Sequence, residues 1–189
     1  MDETIAPQIK ENDDRVLKEY PHLPMTEHLS FRAIEKEDLK KICTLPQSSE
    51  ELFFMFPKAE YPLTCSQLET TVQNRFASTV FLYDEEIAGF ANFYEVEENQ
   101  YCSIGNVIVG SRFRNQGIGE FIIKTMEQTG VEKYNASTFR MSCFNTNTQA
   151  LLLYSKLGYK PYGIEKRINS ENKSFALIKL KKDMNGTGF

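Results

Sequence analysis

The hydrophobic positions of this chain repeat with two different periods, and the changes of period divide it into predicted elements. One alternating stretch comes first, apolar residues then recur every three to four positions, and from residue 78 to 109 the spacing is two. The longer spacing is typical of amphipathic helices and the shorter one of half-buried strands. The predicted elements are, in order, a strand at 29–34; helices at 35–45, from Ser48 and from Thr64; strands at 78–83, 87–94 and 101–109; a helix ended by Gly130; a strand at 138–144; a helix that stops at Gly158; and strands at 159–168 and 173–181.

Three helix starts carry the pattern of a capping box, in which two side chains three residues apart each accept a hydrogen bond from the other residue's backbone N–H. The pairs are Ser48 with Glu51, Thr64 with Gln67, and Thr146 with Gln149. The helix opened by Thr64 is predicted to carry Leu68, Val72 and Phe76 on one face. Thr146 already explains the third cap, so the side chain of Asn147 either helps to cap the same helix or is left for another partner.

The order of the elements predicts the fold class. A helix lies between the strands 101–109 and 138–144, so these two strands form a crossover unit and run parallel. We therefore predict an α/β fold with a mixed, largely antiparallel central sheet of about six to seven strands, one parallel pair and helices on its faces. We expect a single domain at 28–182, a polar and partly disordered extension at 1–27, and a flexible tail at 183–189.

Composition narrows the function classes. The chain has 189 residues, of which 41% are hydrophobic, and a net charge of -4, so it can bury a core but offers no basic excess. We therefore expect no nucleic-acid partner. An apolar run of about 18 residues and a signal-peptide pattern are both missing, which predicts a cytoplasmic protein without a membrane span. The four cysteines and two histidines are too scattered for a zinc site, so we expect no metal.

The segment from Asn106 to Gly119 carries the strongest chemical signal. A β-branched run ends at Val109, a polar turn follows, and Gly117 and Gly119 open an amphipathic helix. Glycines at the mouth of a helix let backbone N–H groups approach an anion, so the segment predicts a phosphate-bearing ligand. A P-loop would need a lysine after the last glycine, and a dinucleotide fingerprint would need a small residue at Ile122. Neither of these motifs is present.

Two motifs together resemble the GNAT superfamily of acyl-CoA-dependent N-acyltransferases. Residues 114–119 match R-x-x-G-x-G and follow, after a short turn, a strand that ends in valine. Downstream, Asn147, Ala150 and Tyr154, followed by a leucine-glycine-tyrosine sequence at 157–159, are similar to a second conserved pattern of that family. The order of elements from 29 to 181 fits as well, so the resemblance covers most of the chain.

The resemblance implies acetyl-CoA as a cosubstrate and assigns its contacts. The backbone at 107–109 would pair with the pantetheine arm, which requires the two parallel strands to splay apart. The N–H groups after Arg114 would hold the pyrophosphate, with Arg114 adding charge, and Tyr154 would protonate the leaving thiolate. Without the resemblance, the position of Tyr154 on the apolar face of its helix would indicate an ordinary core residue. The implied donor-binding residues are Val107, Ile108, Val109, Arg114, Asn115, Gln116, Gly117, Ile118, Gly119 and Asn147.

The acceptor side is less specified. We expect a small-molecule or protein amine, bound between residues 53–62, residues 92–95 and Tyr162, and we leave a homodimer open. Many relatives carry a carboxylate near the end of the strand before the glycine motif, where this chain has Gly105 and Asn106. The candidates for the general base are therefore Glu95, Glu97 and Glu98, although these residues also have the pattern of a solvated acidic turn. A water relay, or an acceptor amine that is already neutral, is the alternative. A non-catalytic acyl-CoA-binding or sensing module is the alternative reading.

Overall fold

The computed structural model describes residues 28–169 and 172–184. The expected extension at 1–27 and most of the expected tail lie outside the described residues. The strands are β1 (Leu29–Ala33), β2 (Phe76–Tyr83), β3 (Glu86–Glu97), β4 (Tyr101–Val109), β5 (Thr138–Phe144), β6 (Lys160–Ile168) and β7 (Ser174–Asp183). The helices are α1 (Asp38–Ile42), α2 (Ser49–Met55), α3 (Cys65–Gln73), α4 (Ile118–Tyr134) and α5 (Thr148–Lys156), with a 3₁₀ turn at Ser111–Phe113 before α4.

All seven strands form one sheet in the order β1-β2-β3-β4-β5-β7-β6. Neighbouring strands are antiparallel except β4 and β5, which are parallel. The predicted fold class is confirmed, and the bounds of β4 and β5 are those expected from the alternation of apolar residues. The sheet therefore changes its pairing mode once, in its middle.

The parallel pair is incomplete. β4 and β5 pair only from Tyr101 opposite Thr138 to Ser103 opposite Arg140, although both strands continue beyond these residues. We call the unpaired gap between residues 104–109 of β4 and 141–144 of β5 the split. Both strands line it with backbone that lacks a neighbouring strand, as the expected splay requires.

Apolar side chains fill both faces of the sheet. One cluster joins the sheet to α4 and α5, and the other joins it to α1, α2 and α3. Fully buried members of the first cluster include Phe81, Phe93, Ile122, Ile123, Met126 and Phe139, and those of the second include Ile42, Leu68, Val80 and Phe90. The helices are thus fixed on opposite faces, and the split opens between the two layers.

Several predicted helix ends are wrong. The helix expected at 35–45 is only the five-residue α1, because residues 36–37 and 43–44 form turns on either side of it. Phe76 belongs to β2, where it pairs with Phe93, because α3 already ends at Asn74. Gly130 lies inside α4, which continues to Tyr134 and ends at Asn135 with a φ of 51°. A Cβ at Gly130 would lie 2.3 Å from Phe139 Cε1, so this glycine allows a close helix–strand contact and does not end the helix.

The three expected capping boxes have different outcomes. Thr64 and Gln67 form the reciprocal box. Ser48 accepts a hydrogen bond from Glu51 N, but the Glu51 carboxylate accepts from Gln47 N and not from Ser48. Thr146 is not the cap of α5, because Asn147 is the N-cap and its Oδ1 accepts from Ala150 N at 3.3 Å.

Candidate active site

The turn between β4 and α4 presents a row of free backbone donors. The N–H groups of residues 115–120 meet no acceptor within the described part of the chain, and the first hydrogen bond of α4 runs from Phe121 N to Gly117 O. Asn115 and Gly117 have φ values of 60° and 80°, which turns successive N–H groups toward one side. α4 is 17 residues long, so its positive end adds to this field. We call residues 115–120 the N–H row.

The side chains of the N–H row leave the space in front of it open. A Cβ at Gly117 would meet no atom within 4 Å. Gln116 Nε2 donates to Arg112 O at 3.0 Å, and Ile118 is buried in the core. Gly119 lies against α5, where an added Cβ would lie 3.0 Å from Leu153 Cδ2. The row therefore offers main-chain donors to an anion and few side-chain contacts.

β4 bends beside the split. Its pairing with β3 shifts by one residue between Ile108 and Gly105, and Asn106 takes a φ of 51°, which is the geometry of a β-bulge. Asn106 Nδ2 holds the bulge by donating to Met55 O at 3.0 Å. The predicted donor-arm residues at 107–109 follow this bulge directly. Of their carbonyls, Val109 O accepts from Arg114 Nε at 3.1 Å.

Tyr154 lies beside the β5 edge of the split. Its side chain is 7% exposed and packs at 6.2 Å from the Tyr159 ring. Burial raises the pKa of Tyr154 well above its usual value, and the neighbouring Cys143 of β5 raises it further. The phenol thus carries its proton at neutral pH. Its hydroxyl has no hydrogen-bond partner within residues 28–169 and 172–184, so the proton is not committed to another protein group.

Glu95 is the best placed of the three candidate bases. Its Oε1 accepts from Tyr101 Oη at 2.9 Å and its Oε2 from Ser103 Oγ at 3.1 Å. Ser103 is the last residue of β4 that pairs with β5, so this carboxylate lies at the closed end of the split. Glu97 is two register positions further away, opposite Tyr101, and Glu98 lies in the turn after β3.

Gly105, one of the two β4 positions without a side-chain base, lies against an aromatic ring. A Cβ at Gly105 would lie 2.7 Å from Tyr94 Cδ1, so the ring of Tyr94 takes up the space that a side chain would need. Asn92, opposite Gly105 on β3, is fully buried, and neither polar atom of its side chain has a partner among the described protein groups. The β4 strand therefore supplies no base here.

Part of the expected acceptor region converges on the split. Phe53 of α2 stacks on Phe144 at the end of β5, with ring centroids 4.3 Å apart, and lies 5.2 Å from Phe175 of β7. Tyr162, in contrast, lies on β6, with β7 between it and β5. The expected acceptor wall is thus α2 with the ends of β5 and β7, while Tyr162 is more remote.

Sequence reasoning missed the partner of Arg114. The guanidinium Nη1 donates to Glu51 Oε1 of α2 at 2.8 Å. This hydrogen bond, assisted by the opposite charge, lowers the pKa of Glu51 and raises that of Arg114. The two residues are 63 positions apart, and the sequence assigned the Glu51 carboxylate to the Ser48 capping box, so no local signal pointed to Arg114.

Metal sites and membrane-spanning helices are two further features to consider. Among residues 28–169 and 172–184, no three His, Cys, Asp or Glu side chains gather in a way that could hold a metal ion. No helix of the described chain is long and apolar enough to cross a membrane.

Comparison with known proteins decides the family. The family model described as the acetyltransferase (GNAT) family matches residues 39–159, which include the N–H row, Asn147 and Tyr154. The chain belongs to the GNAT acetyltransferase family. This GNAT acetyltransferase is 23% identical over 139 residues to the spermine/spermidine N(1)-acetyltransferase of Bacillus subtilis (strain 168), covering 70% of this chain and 88% of that protein.

Solved structures show the same GNAT fold. The ribosomal-protein-S18-alanine N-acetyltransferase from Escherichia coli aligns with a TM-score of 0.64 and 16% identity, over 85% of this chain and 96% of that one. A ribosomal L7/L12 alpha-N-protein acetyltransferase aligns with a TM-score of 0.69 and 13% identity, over 85% and 93%. At these identities the likeness concerns the fold, and the enzyme class, an acetyltransferase, follows from the family.

Proposed function

We propose that this enzyme transfers an acetyl group from acetyl-CoA to a primary amine by direct attack of the amine on the thioester. The observation that carries the proposal is the N–H row just past the open end of the split. Free N–H groups at a helix N-terminus suit the pyrophosphate of CoA. The unpaired edge of β4 suits the amide-bearing pantetheine arm, which can pair with it as an added strand would.

The proposed donor site combines main-chain and side-chain contacts. The Asn147 Oδ1 is used by its cap, which leaves the Nδ2 donors of that amide for the ligand. Arg114 contributes positive charge at the edge of the N–H row while its guanidinium donates a hydrogen bond to the Glu51 carboxylate. The proposed contacts are Val107, Ile108, Val109, Arg114, Asn115, Gln116, Gly117, Ile118, Gly119 and Asn147.

The chemical step forms one C–N bond and breaks one C–S bond. The amine must attack as the neutral base, which at pH 7 costs about 4.6 kcal/mol for a lysine-like amine of pKa about 10.4 and about 1.4 kcal/mol for an α-amine near 8. A backbone N–H near Val107 or Ile108 would stabilise the thioester oxyanion, since a donor fixed at that point strengthens as the charge develops.

Tyr154 is proposed as the acid that serves the leaving sulfur. A thiol has a pKa of about 8.5, whereas burial holds that of Tyr154 well above the usual tyrosine value. The phenol therefore keeps its proton at neutral pH and can donate a hydrogen bond to the sulfur as the C–S bond breaks. Because the thiolate is a weaker base than the phenolate, the proton passes to sulfur only as the phenolate takes a proton from solvent in the same step.

Glu95 is proposed to take the proton of the amine, directly or through one water. Its carboxylate is held by two hydroxyls at the closed end of the split, whereas the β4 positions beside it carry Gly105 and Asn106. The acceptor is proposed to be a small-molecule or protein amine. The names of the relatives give the first panel to try: a polyamine and peptides that begin with alanine or serine.

The decisive experiment measures CoA binding and thiol release with matched glycine variants. Gly117 and Gly158 both have positive φ, and a Cβ at either would meet open space. Their replacement by tryptophan carries a similar backbone strain, of about 1–2 kcal/mol. We expect Gly117→Trp to lose the thermal stabilisation given by CoA and Gly158→Trp to keep it. Equal retention by both variants would contradict the donor site.

A second function, acyl-CoA sensing without catalysis, is favoured by one observation. The β4 positions that hold a carboxylate in many relatives are Gly105, under the ring of Tyr94, and Asn106. Stabilisation by CoA together with no thiol release across the amine panel would support sensing. Thiol release with any amine above the hydrolysis background would exclude it.

A further inference from the structure

Helix α2 spans the open end of the split and is fastened on both sides. On the β4 side, Asn106 Nδ2 donates to Met55 O at the end of the helix. On the β5 side, Phe53 stacks on Phe144, which is itself 4% exposed. The wall that faces an incoming acceptor is therefore one short helix of seven residues, and such a helix has little stability of its own.

A third fastening joins the start of α2 to the donor turn. Arg114 Nε donates to Val109 O at 3.1 Å, and its Nη1 donates to Glu51 Oε1 at 2.8 Å. The other carboxylate oxygen of Glu51 accepts from Gln47 N at 2.9 Å. One guanidinium thus connects the last residue of β4 with the first turn of α2. Because the guanidinium is planar and rigid, it fixes the distance between the two elements.

Geometry and charge argue that this fastening matters for the acceptor. Arg114 and Glu51 have side-chain exposures of 39% and 26%, so the pair is partly shielded from solvent. Phe53 follows Glu51 by two residues in the same short helix, so a shift at Glu51 is transmitted to the ring that packs at the split. The donors of the N–H row, by comparison, are backbone groups that need no help from the Arg114 fork.

We propose that Arg114 and Glu51 are positioning residues that hold α2 over the split and thereby set the acceptor site, so that Arg114 links two elements in addition to the charge it adds at the donor site. This inference rests on the proposed function, because it assigns the split to the reaction. It makes acceptor recognition depend on a residue of the donor motif.

The test compares Glu51→Gln, Arg114→Gln and the double variant in the full-length enzyme. We expect the KM of the acceptor amine to rise about fivefold in each single variant, the fold-change typical of a good, partly shielded ion pair. The double variant should be no worse than either single one, because the two side chains act as one unit. The Kd of CoA, measured by calorimetry, should change less than twofold in Glu51→Gln, which retains the charge of Arg114.

A control variant and a second readout separate this inference from the proposed function. Lys41→Gln breaks an ion pair of similar exposure, with Glu86, and should leave the acceptor KM unchanged. Hydrogen exchange should show the N–H groups of residues 53–56 exchanging about fivefold faster in Glu51→Gln, while α3 stays as protected as in the wild type. If the wild type acetylates no amine, the proposed function fails. The hydrogen exchange of α2 would still show whether the Arg114–Glu51 ion pair holds this helix in place.

Two results would overturn the inference. A tenfold or greater loss of CoA affinity in Arg114→Gln, together with tighter CoA binding and an unchanged acceptor KM in Glu51→Gln, would show that the guanidinium serves only the phosphate and that Glu51 competes for it. Unchanged exchange at residues 53–56 in both single variants would show that the ion pair does not hold the helix.

Discussion

Tyr154 is a residue whose proposed role is separable from its structural role. Its ring fills the core, but its hydroxyl has no hydrogen-bond partner in the described residues. Tyr154→Phe should therefore fold normally and keep the Kd of CoA within about twofold. Turnover with the best amine should fall about 100-fold, the lower end of what a positioned general acid contributes.

Tyr159→Phe is the matched control for Tyr154→Phe. The Tyr159 hydroxyl donates to the buried carboxylate of Glu127 at 2.7 Å, and Lys182 Nζ donates to the same carboxylate. Removing this hydroxyl should lower the free energy of unfolding by about 1–3 kcal/mol and leave kcat near that of the wild type. A kcat loss in Tyr159→Phe as large as that in Tyr154→Phe would mean that the effect is one of packing and not of proton donation.

At the scale of elements, the contact between α4 and β5 depends on Gly130. An added Cβ would lie 2.3 Å from Phe139 Cε1 and 2.7 Å from Phe139 Cζ. Gly130→Ala should gain about 1 kcal/mol of helix propensity, but the clash in a packed core costs about 1–3 kcal/mol or more. We expect a net loss in the free energy of unfolding, measured with urea.

Phe139→Leu provides the control for this clash. Leucine is shorter than the ring that the new methyl group would meet, so Gly130→Ala should cost much less in the Phe139→Leu background than in the wild type. Equal costs in both backgrounds would show that the ring is not the obstacle.

The same glycine illustrates what the sequence can and cannot predict. Alternation predicted β4 and β5 to the residue, because their side chains report directly on burial. Thr64 predicted its cap because capping is a local hydrogen bond. Gly130 was wrongly predicted to end its helix, because the residue that requires a glycine there, Phe139, is on another element. A close contact between two elements produces no sequence pattern in the residues next to the glycine. Sequence rules such as alternation and capping therefore predict a feature correctly where that feature depends on residues close together in the chain.

The same distinction between local and long-range causes applies to the candidate site. The N–H row was predictable because the glycines, the turn and the helix are contiguous. The link from Arg114 to Glu51 was not, since it joins residues far apart, and Asn147 proved to be the cap that was assigned to Thr146. The residues that face each other across the split are determined by the order of the strands and by the β4–β5 pairing, which stops at Ser103. Both depend on several distant segments, so neither can be predicted from one segment alone.

At the scale of the whole molecule, stability should depend on pH on both sides of neutrality. On the alkaline side, burial raises the pKa of Cys102 from 9.0 to about 11 and that of Cys143 to about 12. An acid whose pKa is raised by folding gives stability that is complete below the unfolded pKa and is lost as pH rises through the folded one. We therefore expect the free energy of unfolding to fall from pH 9 upward, with a slope of up to about 1.4 kcal/mol per pH unit for each thiol.

On the acid side, Asp38 gives the clearest expected effect. Both of its carboxylate oxygens accept from Arg32, at 2.6 and 2.8 Å, and one also accepts from Glu35 N. The hydrogen bonds from Arg32 lower the pKa of Asp38 below its unfolded value of 3.8. A lowered pKa means that the stabilisation is complete above pH 3.8 and disappears as pH falls through the folded pKa. Wild type and Asp38→Asn should then differ by about 1–3 kcal/mol at pH 7 and converge as pH falls through the lowered pKa of Asp38, where the wild-type residue becomes neutral. Urea unfolding at several pH values measures this gap, and a gap that stays constant down to pH 2 would show that the carboxylate charge does not hold β1 against α1.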